Sequence, residues 1–481
     1  MAFDLPLANG SVLAVSEIVR LVPNKRLVCK ALWNGQDVFA KVFIGANAQR
    51  YAQRDQQGVQ ALINANIATP DLLYSGSIQD IIDAGEVLIF KAISAQNAEV
   101  LYQQLLDSQQ QPERLHLMLQ LTNTVAQMHK ANLQQTDLYF KNFLVDTDTV
   151  YAIDGDGIQA FSALFKQRQK QRNLAVLLSK MDGLDIDWAE DCYAHYCKQT
   201  DIKYTPFDYA NHYDLTQKIR QKAASRYAYI KVFRTCTDVK VKQSFKQYMA
   251  ISHDFDAIDL SPLQLDNALS DAKNRFKSGN TCTVGKVLMA DRNLVIKRYN
   301  IKNVWHAFKL SISQSRAAKS WANAHRLQLL NVATAKPLAL IEERFGCLKR
   351  RAYFLAEFID APDIAEFFGL SMDTEVKQKV AYETALLFYK LNLLKISHGD
   401  CKASNIKIVD GKPVLIDLDS MQAHTYSWWF ETKHIKDLKR FMQNWAKAPE
   451  TATIFRQAFM QAYNEMDDYM MPTILERAKI A

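Results

Sequence analysis

The stretch TDLYFKNFLVDTDTVYAIDGDG, Thr136–Gly157, places Asp137, Asn142, Asp154 and Asp156 at steps of 5, 12 and 2. The same steps recur in HGDCKASNIKIVDGKPVLIDLDS, His398–Ser420, through Asp400, Asn405, Asp417 and Asp419, a constant offset of 263 residues. A single Asp ahead of a turn is ordinarily a cap or turn residue. The same spacing twice in one chain, each time across two β-rich runs, is an internal repeat, and a repeat sets the architecture before any local motif is interpreted.

The flanks of the two stretches agree. Each is preceded by an apolar-periodic helix, LMLQLTNTVAQMHKANL (Leu117–Leu133) and VAYETALLFYKLNLLKI (Val380–Ile396). After each loop come two short strands joined by a turn, NFLVD and VYAID in the first copy, NIKIVD and PVLID in the second. Upstream, each half sets a lysine inside a β-branched and aromatic strand: Lys41 in DVFAKVF and Lys297 in NLVIKRY. A helix follows each lysine and ends at a similar phrase, NANIATPDLLYSG or LNVATAKPLALIE, before an apolar strand, EVLIFKAIS or AYFLAEFID. Strand lysine, helix, strand, linker, helix, Asp-x4-Asn loop, hairpin and Asp follow the order of a two-lobed protein-kinase-like domain. The expected fold is therefore α+β, two tandem bilobal kinase-like domains, residues 1–258 and 259–481.

Moving the γ-phosphoryl group of ATP requires charge neutralisation, a positioned metal and a group that accepts the hydroxyl proton. Asp137 and Asp400 sit where a loop aspartate orients and deprotonates the attacking hydroxyl. Asn142 and Asn405 would hold one magnesium ion, and Asp154 and Asp417 the metal that bridges the phosphates. Magnesium is a hard ion, so carboxylate, amide, phosphate and water oxygens suit it. Lys41 and Lys297 would contact the α- and β-phosphates. ATP and Mg2+ are the expected cofactors.

With these residues in view, the chain resembles the lipopolysaccharide kinase family, the Kdo and heptose kinases. HGDCKASN (His398–Asn405), VLIDLDS (Val414–Ser420), SRAAKSWANAHRLQLLNVATAKPLAL (Ser315–Leu340) and DLKRFMQNW (Asp437–Trp445) carry the resemblance in the second half. QALINANIATPDLLYSG (Gln60–Gly76) and YIKVFRTCTDV (Tyr229–Val239) carry it in the first. The resemblance implies phosphorylation of a Kdo or heptose hydroxyl in the inner core of lipopolysaccharide, with a glycolipid acceptor at the cytoplasmic face of the inner membrane. A small-molecule or protein-hydroxyl kinase, and a pair of pseudokinase domains serving as a scaffold, stand as alternatives.

The copies depart from the kinase pattern in different places. Protein kinases pair the strand lysine with a helix glutamate. In the first half Asp55 is the candidate, one methylene shorter; in the second half no Asp or Glu lies between Asp291 and Glu342, which leaves Lys297 without a helix carboxylate. Neither half has G-x-G-x-x-G, and Gly279–Lys286 fails as a Walker loop because it has five residues between its glycines and Val287 where Ser or Thr is required. The second loop carries His398, Gly399 and Lys402, an ammonium placed to stabilise the transferring phosphoryl group. The first has Gln135, Thr136 and Tyr139 there. Asp437 is a candidate anchor for the second loop, with Asn173 at the comparable place in the first.

Composition agrees with this reading and excludes others. The 481 residues are 48% hydrophobic and 23% charged, the usage of a chain with a full core. Its 59 basic and 51 acidic residues leave +8, which favours anionic partners. No nucleic-acid motif accompanies that charge, so nucleic acid is set aside. Seven scattered cysteines without a C-x-x-C pair point to reduced thiols rather than a disulfide framework. The N-terminus lacks a basic leader and no run of apolar residues is long enough to span a bilayer, so a cytoplasmic protein, at most peripheral at the inner membrane, is expected. Trp428, Trp429 and Phe430 are candidates for an interfacial contact or for packing under the large lobe. Oligomeric state is not legible.

Overall fold

A computed structural model of the chain describes residues 2–23, 25–79, 85–255, 260–279, 281–289, 291–300, 314–346, 348–465 and 471–480. The chain forms two compact units, Met1–Met181 with Asp185–Arg220, and Asp182–Leu184 with Gln221–Ala481.

The first unit begins with strands β1 (Phe3–Pro6), β2 (Val12–Val22), β3 (Arg26–Trp33) and β4 (Gln36–Ile44), helix α1 (Ala48–Asn64), and strands β5 (Leu72–Ser77) and β6 (Gly85–Lys91). The strands form one antiparallel sheet in the order β1-β2-β3-β4-β6-β5. Side chains alternate faces along a strand. Cys29, Ala31, Val38, Ala40 and Val42 therefore enter one buried cluster. Arg26, Val28 and Lys41 fall on the opposite face, with Val28 directly across from Lys41. The helical part contains α2 (Ala98–Asp107), α3 (Gln111–Lys130), α4 (Lys166–Leu178), α5 (Ala189–Gln199) and, up to Arg220, the first part of α6 (Pro206–Tyr229). Between α3 and α4 lies the expected hairpin, β7 (Phe143–Asp146) and β8 (Thr149–Ala152). α3 buries Leu117, Leu121, Val125 and Met128, the stripe that its periodicity predicts.

In the second unit β9 (Val239–Gln243) and β10 (Gln247–Ser252) precede α7 (Pro262–Ser270), β11 (Arg275–Ser278), β12 (Cys282–Met289), β13 (Arg292–Tyr299), α8 (Arg316–Leu329), β14 (Pro337–Phe345) and β15 (Leu348–Glu357). The sheet order is β9-β10-β14-β15-β13-β12-β11. Then come α9 (Ile364–Gly369), α10 (Thr374–Leu393), the hairpin β16 (Ile406–Val409) and β17 (Lys412–Leu415), α11 (Ser427–Met442), α12 (Pro449–Glu465) and α13 (Met471–Ala478). Phe441 packs its ring edge-on against Phe455 and Phe459 at 5.0 and 6.0 Å, and each such buried ring stabilises the lobe by about 1.5–3 kcal/mol. Each unit thus has the sheet lobe and helical lobe of a kinase-like fold, with β3, β4, α1, β5, β6, α3, β7 and β8 matched by β12, β13, α8, β14, β15, α10, β16 and β17.

The expected division at 258/259 itself lies outside the described residues. The compact units instead part at Arg220/Gln221, inside α6. The reason is strand pairing: β10 lies antiparallel to β14, with Met249 opposite Ile341, so residues assigned from sequence to the first large lobe extend the second sheet. No sequence motif marks that hairpin as belonging to the later sheet.

The repeated phrase before β5 and β14 is a helix cap. Asn66 and Asn331 both take left-handed backbone, φ 56° and 53°. The next residue closes back on the last turn, Ile67 N–H to Leu62 O at 3.0 Å and Val332 N–H to Leu327 O at 2.9 Å. Asn tolerates this conformation better than other side-chain-bearing residues.

Candidate active site

One set of hydrogen bonds builds the site in both units. Past the helix cap, Ala68 O accepts from Ala152 N–H at 2.8 Å, and Ala333 O from Leu415 N–H at 3.0 Å, which ties the cap to the strand before the hairpin acid. The next residue of that strand binds the loop asparagine, Ile153 N–H to Asn142 O at 2.9 Å and Ile416 N–H to Asn405 O at 3.0 Å. The asparagine amide then reaches the loop acid, Asn142 Nδ2 to Asp137 O at 2.6 Å and Asn405 Nδ2 to Asp400 O at 2.9 Å. Because the amide nitrogen serves the loop, each asparagine keeps Oδ1, an acceptor, outside this bond. The 5 and 12 spacings are thus the chain lengths that this network requires.

Asp154 and Asp417 stand at the hairpin exits in left-handed backbone, φ 73° and 63°. A non-glycine residue held there costs of order 1–3 kcal/mol, a strain typical of functional sites. In the first unit the neighbouring turn is pressed against α1. A β-carbon on Gly58 would run into the Gly155 carbonyl, so only glycine permits the approach. In the second unit Asn323 of α8 bridges the gap, donating Nδ2 to Leu418 O at 2.9 Å and Met421 O at 3.0 Å.

The strand lysines are held differently. Lys41 Nζ lies 2.7 Å from Asp55 Oδ2 and 3.5 Å from Asp154 Oδ1, so the short carboxylate of α1 does pair with it. Arg26 Nη1 joins them, 3.4 Å from Asp154 Oδ1 and 4.0 Å from Asp55 Oδ2. Burial works to raise the Asp154 pKa, but Lys41 and Arg26 outweigh it and hold the carboxyl below its ordinary range. Lys297 has no helix acid and contacts Asp417 Oδ1 directly at 2.6 Å. Burial of Asp417 is likewise outweighed, here by Lys297 first and then by His398 and Lys402.

The loops also differ. Lys402 Nζ is 3.6 Å from Asp400 Oδ2 and Arg440 Nε is 3.9 Å from Asp400 Oδ1, so two cations flank the second loop acid. In the first loop Tyr139 replaces Lys402, and Lys180 Nζ sits 4.1 Å over its ring. Burial lowers the Lys180 pKa to about 8. Asp437 of α11 accepts the backbone N–H groups of His398 at 2.7 Å and Gly399 at 3.0 Å. Asn173 of α4 does related work in the first unit, donating to Gln135 O at 3.0 Å while its Oδ1 meets His129 Nε2 at 3.0 Å.

A cavity of about 600 Å³ opens in the second unit between sheet and loop. Val284, Val295, Phe354 and Ala356 make an apolar wall, and Lys297, Asn405 and Asp417 gather at a polar end. An apolar slot with a few convergent charged groups is the shape of a small-molecule or cofactor site.

The lipopolysaccharide kinase (Kdo/WaaP) family matches residues 46–199 and 267–463. The chain belongs to that family. Among solved structures it is similar to "WaaP in complex with acyl carrier protein", at 19% identity and a TM-score of 0.35, over 44% of this chain and 90% of that one. No curated protein matches. Membership makes the chain an ATP-dependent lipopolysaccharide-core kinase. The residues in the second cavity fit ATP, since the apolar wall suits a base and Lys297 suits phosphates. The loop and hairpin residues of this kinase fall inside the matched segments in both units, as do Asp55 and Lys297, whereas Lys41 lies just before the first segment. Among the described residues no helix is long and apolar enough to cross a membrane.

Several groups in this kinase escape a motif search. Arg54 Nε pairs with Asp156 Oδ1 at 3.0 Å, and Arg316 forks onto Asp419 from a different turn of the matching helix. Both arginines secure the second acid of the D-x-D pair, but their unequal positions hide the equivalence. Arg26 was detectable in principle, because strand alternation puts it on the Lys41 face, two residues from Val28. The aromatic triplet divides: Phe430 is buried, while Trp428 and Trp429 are 66% and 48% exposed.

Proposed function

We propose that the chain phosphorylates a hydroxyl of a Kdo or heptose residue in the lipopolysaccharide inner core, and that the second unit carries the transfer. The observation that supports this assignment is the cavity whose polar end joins Lys297, Asn405 and Asp417 to a loop with two cations beside Asp400. Asp400 takes the proton from the acceptor hydroxyl. The freed oxygen forms its bond to the γ-phosphorus as the bond to the β–γ bridging oxygen breaks, and ADP leaves with the displaced charge facing Lys297. Lys402 neutralises charge on the phosphoryl oxygens, a role that its position 3.6 Å from Asp400 supports. Asn405 Oδ1 and the free oxygen of Asp417 are the atoms that would hold Mg2+, which neutralises phosphate charge when bound.

A peripheral position at the inner membrane belongs to the same reading. Exposed Tyr426 just before α11, and Trp428 and Trp429 in its first turn, are followed by Lys433, Lys436, Lys439 and Arg440. Aromatic residues beside a basic row suit the interface of an anionic glycolipid membrane.

The deciding experiment is transfer of labelled γ-phosphate from Mg-ATP to purified inner-core lipopolysaccharide by the intact chain, Asp400→Asn and Asp137→Asn. Asp400→Asn should lower kcat by about a thousandfold or more, and Asp137→Asn by less than about threefold. Activity that survives Asp400→Asn and disappears with Asp137→Asn overturns the assignment of units. Acceptors ending in Kdo or in heptose separate the two sugars.

A further inference from the structure

We propose that the first unit binds nucleotide phosphates without a divalent metal, the Arg26 guanidinium adding a second fixed positive charge beside the carboxylate, Asp154, that a metal ion would need. This rests on the kinase reading of the fold, since it takes Lys41 and Asp154 to face a nucleotide.

The two units can be compared strand by strand. Val28 lies opposite Lys41 and Val284 opposite Lys297. Two residues earlier on each strand stand Arg26 and Cys282, so one position is a cation in the first unit and a small thiol in the second. Arg26 points into the site rather than to solvent, with 13% of its side chain exposed. Its Nη1 and Lys41 Nζ approach the same Asp154 oxygen, at 3.4 and 3.5 Å. Asp55, fully buried, lies 2.7 Å from Lys41 and 4.0 Å from Arg26. Two cations and two carboxylates thus gather at the carboxylate that a metal would require, and Arg20 adds a further positive charge nearby. In the second unit, among the described residues, Lys297 is the cation paired directly with Asp417.

The electrostatic consequence differs between metal and phosphate. A divalent cation approaching the other Asp154 oxygen meets two fixed positive charges, Arg26 and Lys41, where one approaching Asp417 meets Lys297. A polyphosphate meets a guanidinium fork and an ammonium already oriented by buried carboxylates. A guanidinium presents several N–H donors in a planar array suited to phosphate oxygens. The donor set of the first unit therefore suits the anion and not its usual metal, while that of the second suits both. The loops differ in the same sense, since Tyr139 stands where Lys402 assists transfer. The first unit is a metal-independent binding unit for a nucleoside di- or triphosphate.

The test is equilibrium binding of trinitrophenyl-ATP to the full chain carrying Lys297→Met and Asp417→Asn, which silence the second site, in excess EDTA and in excess magnesium. The affinity in EDTA should lie within about threefold of that in magnesium, and Arg26→Met should weaken binding in EDTA by about tenfold or more, the loss of one charge-assisted contact. Arg26→Cys, which copies the second unit, should lose binding in EDTA and recover it on adding magnesium. Thermal unfolding checks that each variant is folded. Binding that requires magnesium with Arg26 intact, EDTA binding unaffected by Arg26→Met, or no binding in either condition overturns the proposal. Transfer of labelled γ-phosphate from Mg-ATP to inner-core lipopolysaccharide by the unaltered chain separates this failure from failure of the kinase reading. If the unaltered chain transfers phosphate, the kinase reading stands and only the metal-free site falls.

Discussion

Asp437→Asn should slow transfer while leaving the fold nearly as stable as before. The carboxylate accepts His398 N–H at 2.7 Å and Gly399 N–H at 3.0 Å, and so holds the turn from which Asp400 projects. Asparagine keeps one oxygen for one donor and sets an N–H group against the other. One charge-assisted hydrogen bond contributes about 1.5–3 kcal/mol. At about 1.4 kcal/mol per tenfold, its loss corresponds to a roughly 10- to 150-fold fall in kcat. The KM for ATP should move by less than about threefold, because the lost contact orients the loop rather than the nucleotide.

Stability responds differently. Burial raises the Asp437 carboxyl to about 6, and its two N–H donors offset only part of that. An unfolded aspartate titrates near about 3.9. Between these values the folded chain binds more protons, so this group removes stability as pH rises, by about 3 kcal/mol in all. Above pH 6 the fold therefore carries an ionised carboxylate at a cost, and a neutral asparagine relieves it while losing the hydrogen bond. The two effects oppose each other, and Tm near neutral pH should stay within about 5 °C of wild type. Below about pH 6 the wild-type carboxyl protonates and kcat should fall on an acid limb that the Asn variant lacks. The assay is γ-phosphate transfer across that range, with thermal unfolding in parallel. Wild-type kcat in the variant, or the same limb in both proteins, refutes the anchoring role.

Three further outcomes follow from the geometry. Lys402→Ala should lower kcat by about a hundredfold with little change in the KM for ATP, read from steady-state kinetics. Gly58→Ala, which drives a β-carbon into the Gly155 carbonyl, should destabilise the first unit by about 3 kcal/mol in urea unfolding. Replacing both Trp428 and Trp429 by Ala should weaken co-sedimentation with anionic vesicles by about tenfold while leaving Tm unchanged, since both rings are solvent-exposed.

Much of the site was legible because it is built from short-range spacing. The steps of 5 and 12 residues are the lengths of a loop turn and a hairpin, so any chain that closes the Asn–Asp network must repeat them. The Lys41–Asp55 pair was accessible for a similar reason, because a strand lysine and the second turn of the following helix meet in this topology. The missing helix acid opposite Lys297 was equally visible, but its substitute was not. That substitute, Asp417, is 120 residues away along the chain, and no local pattern announces a 2.6 Å contact across such a separation.

What the sequence alone determined is therefore the repeat, the order of strands and helices, and the chemical identity of each loop, since periodicity and turn chemistry act over a few residues. Tertiary structure decided the rest: that Val239–Ser252 completes the second sheet, that Arg26 enters the first site, and that Asp437 grips the second loop. Sheet membership and ion pairing depend on which distant segments are brought face to face. A strand with two free edges, or an arginine beside a turn, has no preference for a partner until the packed lobes leave it only one.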